Sequence, residues 1–204
     1  MMSASILAGS LVALPASATS FNNPSYSEVE SSIWYLAEVD SVDPIAVLQA
    51  LVRYATLAPS SHNTQCWQFT IETASTSQEN HIITIMPDLA RRCSAVDPDD
   101  HHLFVSLGCA LENLCQAAAA HGLQAEHVFD ESDGNRIRVT LQAMPELRSA
   151  LFYAIPKRQC TRAGYDGQAI AHEDLLLLTQ AVTTSGVRLM LLTDAASKEK
   201  VLDS

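Results

Sequence analysis

The sequence predicts an α+β protein with an antiparallel-rich sheet flanked by helices. Two observations lead there: apolar stripes at helical spacing near residues 44–57 and 103–118, and alternating strand-like segments joined by short polar turns. Helices and strands follow one another irregularly, with hairpin joins between strands, which is not the regular alternation of a parallel sheet.

Taken in order, residues 21–41 are polar and acidic with scattered aromatics and read as an extended lead-in. Asp43-Pro44 reads as an N-cap followed by proline at the first helical position, and Ile45, Leu48, Leu51, Val52 and Ala55 continue the stripe to about residue 57. Pro59 ends that helix. Trp67, Phe69 and Ile71 alternate along a strand at 67–73, and residues 74–80 turn the chain into a second strand at 81–86. Asp97-Pro98-Asp99 opens the clearest helix. Its stripe is Leu103, Leu107, Ala110, Leu111, Leu114 and Ala118, with Gly122 placed as a C-terminal glycine. Strands are expected at 124–129 and 136–142 around the turn-rich 130–135, then helices at 146–154 and 172–184, a strand at 187–193 and a last helical start.

Composition bounds the function. The chain is 204 residues long, 48% apolar and 17% charged, a balance that suits a packed domain and not a disordered one. A formal charge of −11 opposes nucleic-acid binding, which requires a basic face. No unbroken run of about 18 apolar residues occurs, so no stable membrane insertion is expected. Cys66, Cys93, Cys109, Cys115 and Cys160 show no paired spacing and read as free thiols. Residues 1–20 join an apolar run, Ile6 to Leu14, to an Ala16-Ser17-Ala18 site of the kind cut after a secretory signal, yet the first basic residue is Arg53. The segment reads either as the remnant of an export signal, giving a periplasmic or exported protein, or as a small-residue tail on a cytoplasmic one.

Four clusters are able to carry chemistry. Ser60 to Gln65 are six consecutive hydrogen-bonding side chains between a helix end and an apolar strand, a ligand loop or a self-capped turn. Lys157, Arg158 and Arg162 gather three of the twelve basic residues within six positions, as an anion site or a solvated loop. Asp97 to His102 hold three carboxylates and two imidazoles, but His101 and His102 point about 100° apart on a helix and do not converge on one metal. Cys66 and His62 make no complete nucleophilic set, because no third group is identified to orient the imidazole. No catalytic acid, nucleophile or metal ligand is assigned.

The string Ala58 to Trp67 (APSSHNTQCW) resembles the nitroreductase signature A-P-S-x-x-N-x-Q-P-W, with Cys66 in place of proline. Asp97-Pro98 and Ser106 to Leu114 resemble the family's D-P … S-x-G-x-A-x-x-N-L helix, and Ile155 to Tyr165 (IPKRQCTRAGY) resembles its R-R-x-x-R-x-[FY] opening motif. That opening motif here follows the A-P-S loop, an order similar to the Acg-like branch, in which two nitroreductase-like halves share one chain. The resemblance implies a first repeat at 21–150 and the beginning of a second, cut short, at 151–204. It implies FMN bound by Pro59, Ser60, Ser61, Asn63 and Gln65, with Arg158 and Arg162 toward the phosphate. It implies NAD(P)H as electron donor, a small nitroaromatic, quinone or similar acceptor, and a homodimer as one arrangement. A non-catalytic flavin-storing or degenerate homologue is the alternative. Cys160 stands where the opening motif carries a small hydroxyl residue, and a thiol is a poor phosphate donor.

Overall fold

A computed structural model describes residues 25–36, 43–74, 76, 80–161, 163–182 and 186–203. The suggested export segment at 1–20 lies outside them. The chain divides into two compact units, residues 1–160 and 161–204.

Unit 1 is α+β, as the sequence predicts. Its helices are α1 (Tyr26–Ile33), α2 (Pro44–Thr56), α3 (His101–Ala120) and the short α4 (Ala150–Ala154). Its strands β1 (Trp67–Glu72), β2 (His81–Pro87), β3 (Leu123–Asp130) and β4 (Arg136–Ala143) form one antiparallel sheet in the order β1-β2-β4-β3. Hairpins join β1 to β2 and β3 to β4, and the α3 crossover lets β4 pair with β2. Alternation sets the register: Ile83 and Ile85 of β2 and Ile137, Val139 and Leu141 of β4 turn to one face and are buried there. Leu48, Leu51, Tyr54 and Ala55 of α2 and Leu107, Ala110, Leu114, Ala117 and Ala118 of α3 complete that core.

Caps explain several helix boundaries. Asp43 accepts from Ile45 N at 2.9 Å, and Pro44 occupies the first turn of α2, where no amide partner is lost. At the other end of α3, Gly122 takes φ +73°, and a Cβ there would lie 3.1 Å from the Met144 carbonyl oxygen. Only glycine fits both conditions, so the sequence position of this stop follows from backbone sterics. By length and composition α3 is apolar enough to cross a membrane, which qualifies the expectation that no such segment exists. Its Leu103, Leu107 and Leu114 are buried against other elements of unit 1, the position of a core helix.

Asp97 joins α3 from outside the helix. Its buried carboxylate accepts from His102 N (3.1 Å) and Leu103 N (3.0 Å), two amides of the first turn, and sits 3.2 Å from His102 Nδ1. Burial alone would raise its pKa, but these donors outweigh that and hold it below the ordinary value. The folded value therefore lies below the unfolded one, near about 3.9. Such a carboxylate stabilises the fold above the unfolded value and loses that contribution as pH falls through the folded one. Asp97→Asn is expected to lower the urea midpoint at pH 7 and to shrink the further loss below about pH 4. Parallel acid dependence of the two proteins would remove Asp97 from this role.

Three sequence expectations change besides the length of the helix expected at 172–184. Residues 26–33 form a helix and not an extended lead-in, because Ser25 and Glu28 make a reciprocal capping box: Ser25 N donates to Glu28 Oε2 at 2.7 Å and Glu28 N to Ser25 Oγ at 3.4 Å. Arg53 then holds the end of α1, donating to Ile33 O (2.8 Å) and Tyr35 O (3.0 Å), with its guanidinium over the Tyr35 and Tyr54 rings. Second, α4 begins at Ala150 and not near 146, because Ser149 accepts from Phe152 N and caps it there. Third, no strand forms at 187–193. Val187, Leu189 and Met190 are exposed, and a strand without a hydrogen-bonded neighbour has no ladder to hold it.

Unit 2 holds α5 (His172–Gln180) and α6 (Ala195–Leu202), the latter capped by Asp194 accepting from Ser197 N at 2.8 Å. Helix α5 is shorter than the expected 172–184, and residues 183–185 lie outside the described set. None of the described residues of unit 2 is buried.

Candidate functional site

The loop between α2 and β1 is built by backbone bonds before any ligand is considered. Leu57 N and Ala58 N close the end of α2 on Tyr54 O and Ala55 O, both at 3.1 Å. Pro59 prevents further helix. Asn63 N then donates to Ser60 O (2.9 Å), Thr64 N to Ser61 O (3.1 Å) and Gln65 N to Ser60 Oγ (3.0 Å), winding residues 61–63 into one tight turn. Ser60 is thus half committed to the loop itself, through its hydroxyl.

Within this turn His62, Asn63 and Gln65 all take positive φ, at 51°, 55° and 49°. For side chains other than glycine the left-handed region costs about 1–2 kcal/mol per residue, less for asparagine. Three such residues within four positions are a local concentration of strain, and strain of this kind collects where a backbone is held in shape for a ligand. Nothing in the residue types at 62 or 65 signals it.

Helix α3 supplies the support. Ser61 N donates to Ser106 Oγ at 3.1 Å, and Ser106 Oγ donates onward to His102 O at 2.6 Å. Asn113 Nδ2 reaches Tyr54 O at 3.1 Å, tying α3 to the last turn of α2. Both residues belong to the S-x-G-x-A-x-x-N-L stretch, so the motif carries a positioning role that spacing alone does not reveal. The side chains of Asn63 and Gln65 are exposed, as is His62. A cavity of about 10 Å³, room for about one water, lies beside Ser61, Thr64, Arg91 and Arg92. It is far too small for a flavin ring system.

Arg158 is brought to the same loop across 101 residues: its Nη2 donates to Leu57 O at 2.9 Å. Its Nη1 donates to Cys160 Sγ at 3.0 Å, and its guanidinium carbon lies 5.6 Å from the centre of the Trp34 ring. The Nε atom is buried without an acceptor. This is not a solvated surface arginine; it is half-buried and holds the 155–160 segment against the end of α2. Ile155, close to it in sequence, is buried in the core. Arg162 lies outside the described residues. Burial raises the pKa of the nearby Cys109 thiol, with the Arg158 charge opposing it.

The other clusters resolve more simply. Cys66 is buried and its thiol points to Leu103 O at 3.9 Å, while His62 is exposed, so no thiolate–imidazole pair forms. All five cysteines are free. Burial, helped by Glu112, pushes Cys115 up to about 11, leaving it a poor nucleophile at neutral pH. Asp97 serves the helix start through the first-turn amides, and Asp100 faces Arg92 at 3.5 Å. Among the described residues no group of three or more His, Cys, Asp or Glu side chains is placed to hold a metal ion.

No family model matches the chain. Two curated relatives, from two strains of Mycobacterium tuberculosis and both provisionally named NAD(P)H nitroreductases, are 29% identical over 167 residues. Those alignments cover 75% of this chain and 46% of each relative, so the chain spans about half the length of the curated relatives it matches. Among solved structures, an NADPH:FMN oxidoreductase from Vibrio harveyi in complex with NAD+ aligns with 15% identity and a TM-score of 0.38, over 75% of this chain and 83% of that one. A provisionally named NAD(P)H:FMN oxidoreductase from Staphylococcus epidermidis aligns with 14% identity and a TM-score of 0.39, over 82% and 96%. Structural likeness at that level is slight, and the relationship rests on the sequence matches. By sequence, this chain is similar to two provisionally named NAD(P)H nitroreductases.

Proposed function

We propose that the chain is an NAD(P)H-dependent FMN oxidoreductase whose flavin is held by Pro59, Ser60, Ser61, Asn63 and Gln65, with Arg158 and Arg162 toward the phosphate. The observation that carries this reading is the strained 62–65 turn, braced on Ser106 and met at its base by Arg158. When bound, FMN would supply the redox chemistry, taking a hydride from NAD(P)H and passing electrons to a small nitroaromatic, quinone or similar acceptor.

The residues present fit such a group in two respects. Asn63 and Gln65 offer exposed amide groups suited to the polar edge of a flavin. Arg158 carries a buried Nε–H that lacks an acceptor, in a protein whose net charge of −11 otherwise repels phosphate. The chain's own contribution is to bind and orient; no side chain is assigned a proton transfer or a covalent step. Homodimerisation belongs to the same reading, since flavin sites shared between two halves need a second half. The flavin-holding or degenerate alternative uses the same residues and differs in turnover.

The experiment is reconstitution of the full chain with FMN, followed by NADPH and NADH oxidation with and without a quinone acceptor. Acceptor-dependent oxidation is expected. Bound flavin without turnover would favour the flavin-holding alternative, and protein that takes up no FMN would overturn both.

A further inference from the structure

A second site lies on unit 1, away from the A-P-S loop. Between α3 and the β3–β4 hairpin runs a groove of about 570 Å³, lined chiefly by Phe104, Leu107, Leu111, Phe129 and Ile137. That volume falls within the range of about 300–1,000 Å³ common to small-molecule sites. At about 100° per residue, its α3 residues 104, 107, 108 and 111 lie roughly 100–160° around the helix from Ser106, which braces the loop. Groove and loop therefore use different faces of α3.

Three observations define what the groove would take. Its walls are apolar and aromatic, with Phe104 and Phe129 meeting edge to face at 6.1 Å. Its polar lining is Glu131 and Asn135 at the hairpin turn and His127 on the other side of Phe129 along β3. Neighbouring charges are spoken for: Asp133 pairs with Arg136 Nη1 at 3.0 Å, and Asp130 accepts from Ser132 N and Oγ. Arg136 and Arg138 flank Ile137 in β4, and strand alternation turns them to the opposite face. Among the described residues no lysine or arginine lines the groove, and one carboxylate does. The third observation is Gly108. Among the described residues a Cβ there would meet nothing within 4 Å, so their packing does not require glycine at this mid-helix position, where it costs about 0.5–1 kcal/mol relative to alanine.

We propose that this groove binds a lipophilic organic cation, its apolar body between Phe104, Phe129 and Leu111 and its charge toward Glu131. An acidic protein with a carboxylate in the groove's lining favours a cation over an anion of the same shape, and aromatic faces add to that preference. The proposal stands independently of the flavin reading, since it involves no residue of the 58–67 loop.

Two probes of nearly the same shape and opposite charge test it: tetraphenylphosphonium and tetraphenylborate, titrated calorimetrically into the full chain. Saturable binding of the phosphonium is expected, with the borate at least about tenfold weaker, as Coulomb attraction to one carboxylate implies. Glu131→Gln should weaken the phosphonium by roughly five- to tenfold and strengthen the borate, so that the two affinities converge. Gly108→Leu places a side chain into open space, so its circular dichroism should match wild type while phosphonium binding is lost. Three results would overturn the proposal: borate binding as tight as phosphonium, phosphonium affinity unaffected by Gly108→Leu, or no phosphonium binding. If that last result accompanies a dimer that Gly108→Leu converts to monomer, the groove holds a second copy of the chain instead.

Discussion

Leu114→Ala is expected to lower the unfolding free energy by about 2–5 kcal/mol, the cost of truncating a large side chain at the centre of a packed core. The side chain is fully buried midway along α3, the helix that packs on α2 and on the sheet. Removing three heavy-atom positions there forfeits transfer energy and leaves a cavity that α2 and β-strand neighbours are unable to close without moving. The same truncation at Val105, 52% exposed on the other side of α3, should stay within about 0.5 kcal/mol. Urea unfolding checks the pair: the Leu114→Ala midpoint should fall with an unchanged denaturant slope. A loss below about 1 kcal/mol would mean that α3 is not the centre of the core.

The second large effect concerns Arg158. Arg158→Ala is expected to weaken FMN binding by about 1–3 kcal/mol, or roughly five- to 150-fold in dissociation constant. Two causes combine. The charge meant for the phosphate disappears, and so does the bond to Leu57 O that sets the base of the A-P-S loop. Arg158→Lys separates them, since lysine keeps the charge without the planar fork that reaches Leu57 O and Cys160 Sγ together. Lysine should recover part of the affinity if charge matters and none if only loop geometry does. Flavin fluorescence titration reads both variants, and unchanged affinity in Arg158→Ala would remove Arg158 from the site.

How far the sequence carries these conclusions differs from element to element. The strands are legible because residues such as Ile83, Ile85, Val139 and Leu141 alternate under one buried face, and a slip of one residue would expose them all. Helix α2 announces its start through Asp43-Pro44, and α3 its stop through Gly122. Helix α1 is legible in principle, since Ser25-x-x-Glu28 is a capping signal, but its polar composition hides it; the tie from Arg53 to Ile33 and Tyr35 is tertiary and invisible to local patterns. At 187–193 the opposite holds: apolar residues suggest a strand, and no neighbouring strand is present to pair with it among the described residues.

The candidate site divides the same way. The residue types of 58–67 allow a ligand loop or a self-capped turn, and it is the resemblance that implies the ligand. The positive φ of His62 and Gln65 is not legible, because neither residue type demands it. Nor is the contact between Arg158 and Leu57 O, which spans 101 positions and is set by tertiary packing. The cost of that placement is that Arg158 has two nitrogens already bonded within the chain, so phosphate must compete with Leu57 O and Cys160 Sγ or satisfy the remaining Nε–H.

The most direct test is a titration of FMN into the purified full chain, followed by quenching of flavin fluorescence. Saturable binding of about one FMN per chain is expected, weakened in Arg158→Ala and in Asn63→Ala. Free FMN that keeps its full fluorescence at saturating protein would contradict the flavin site outright.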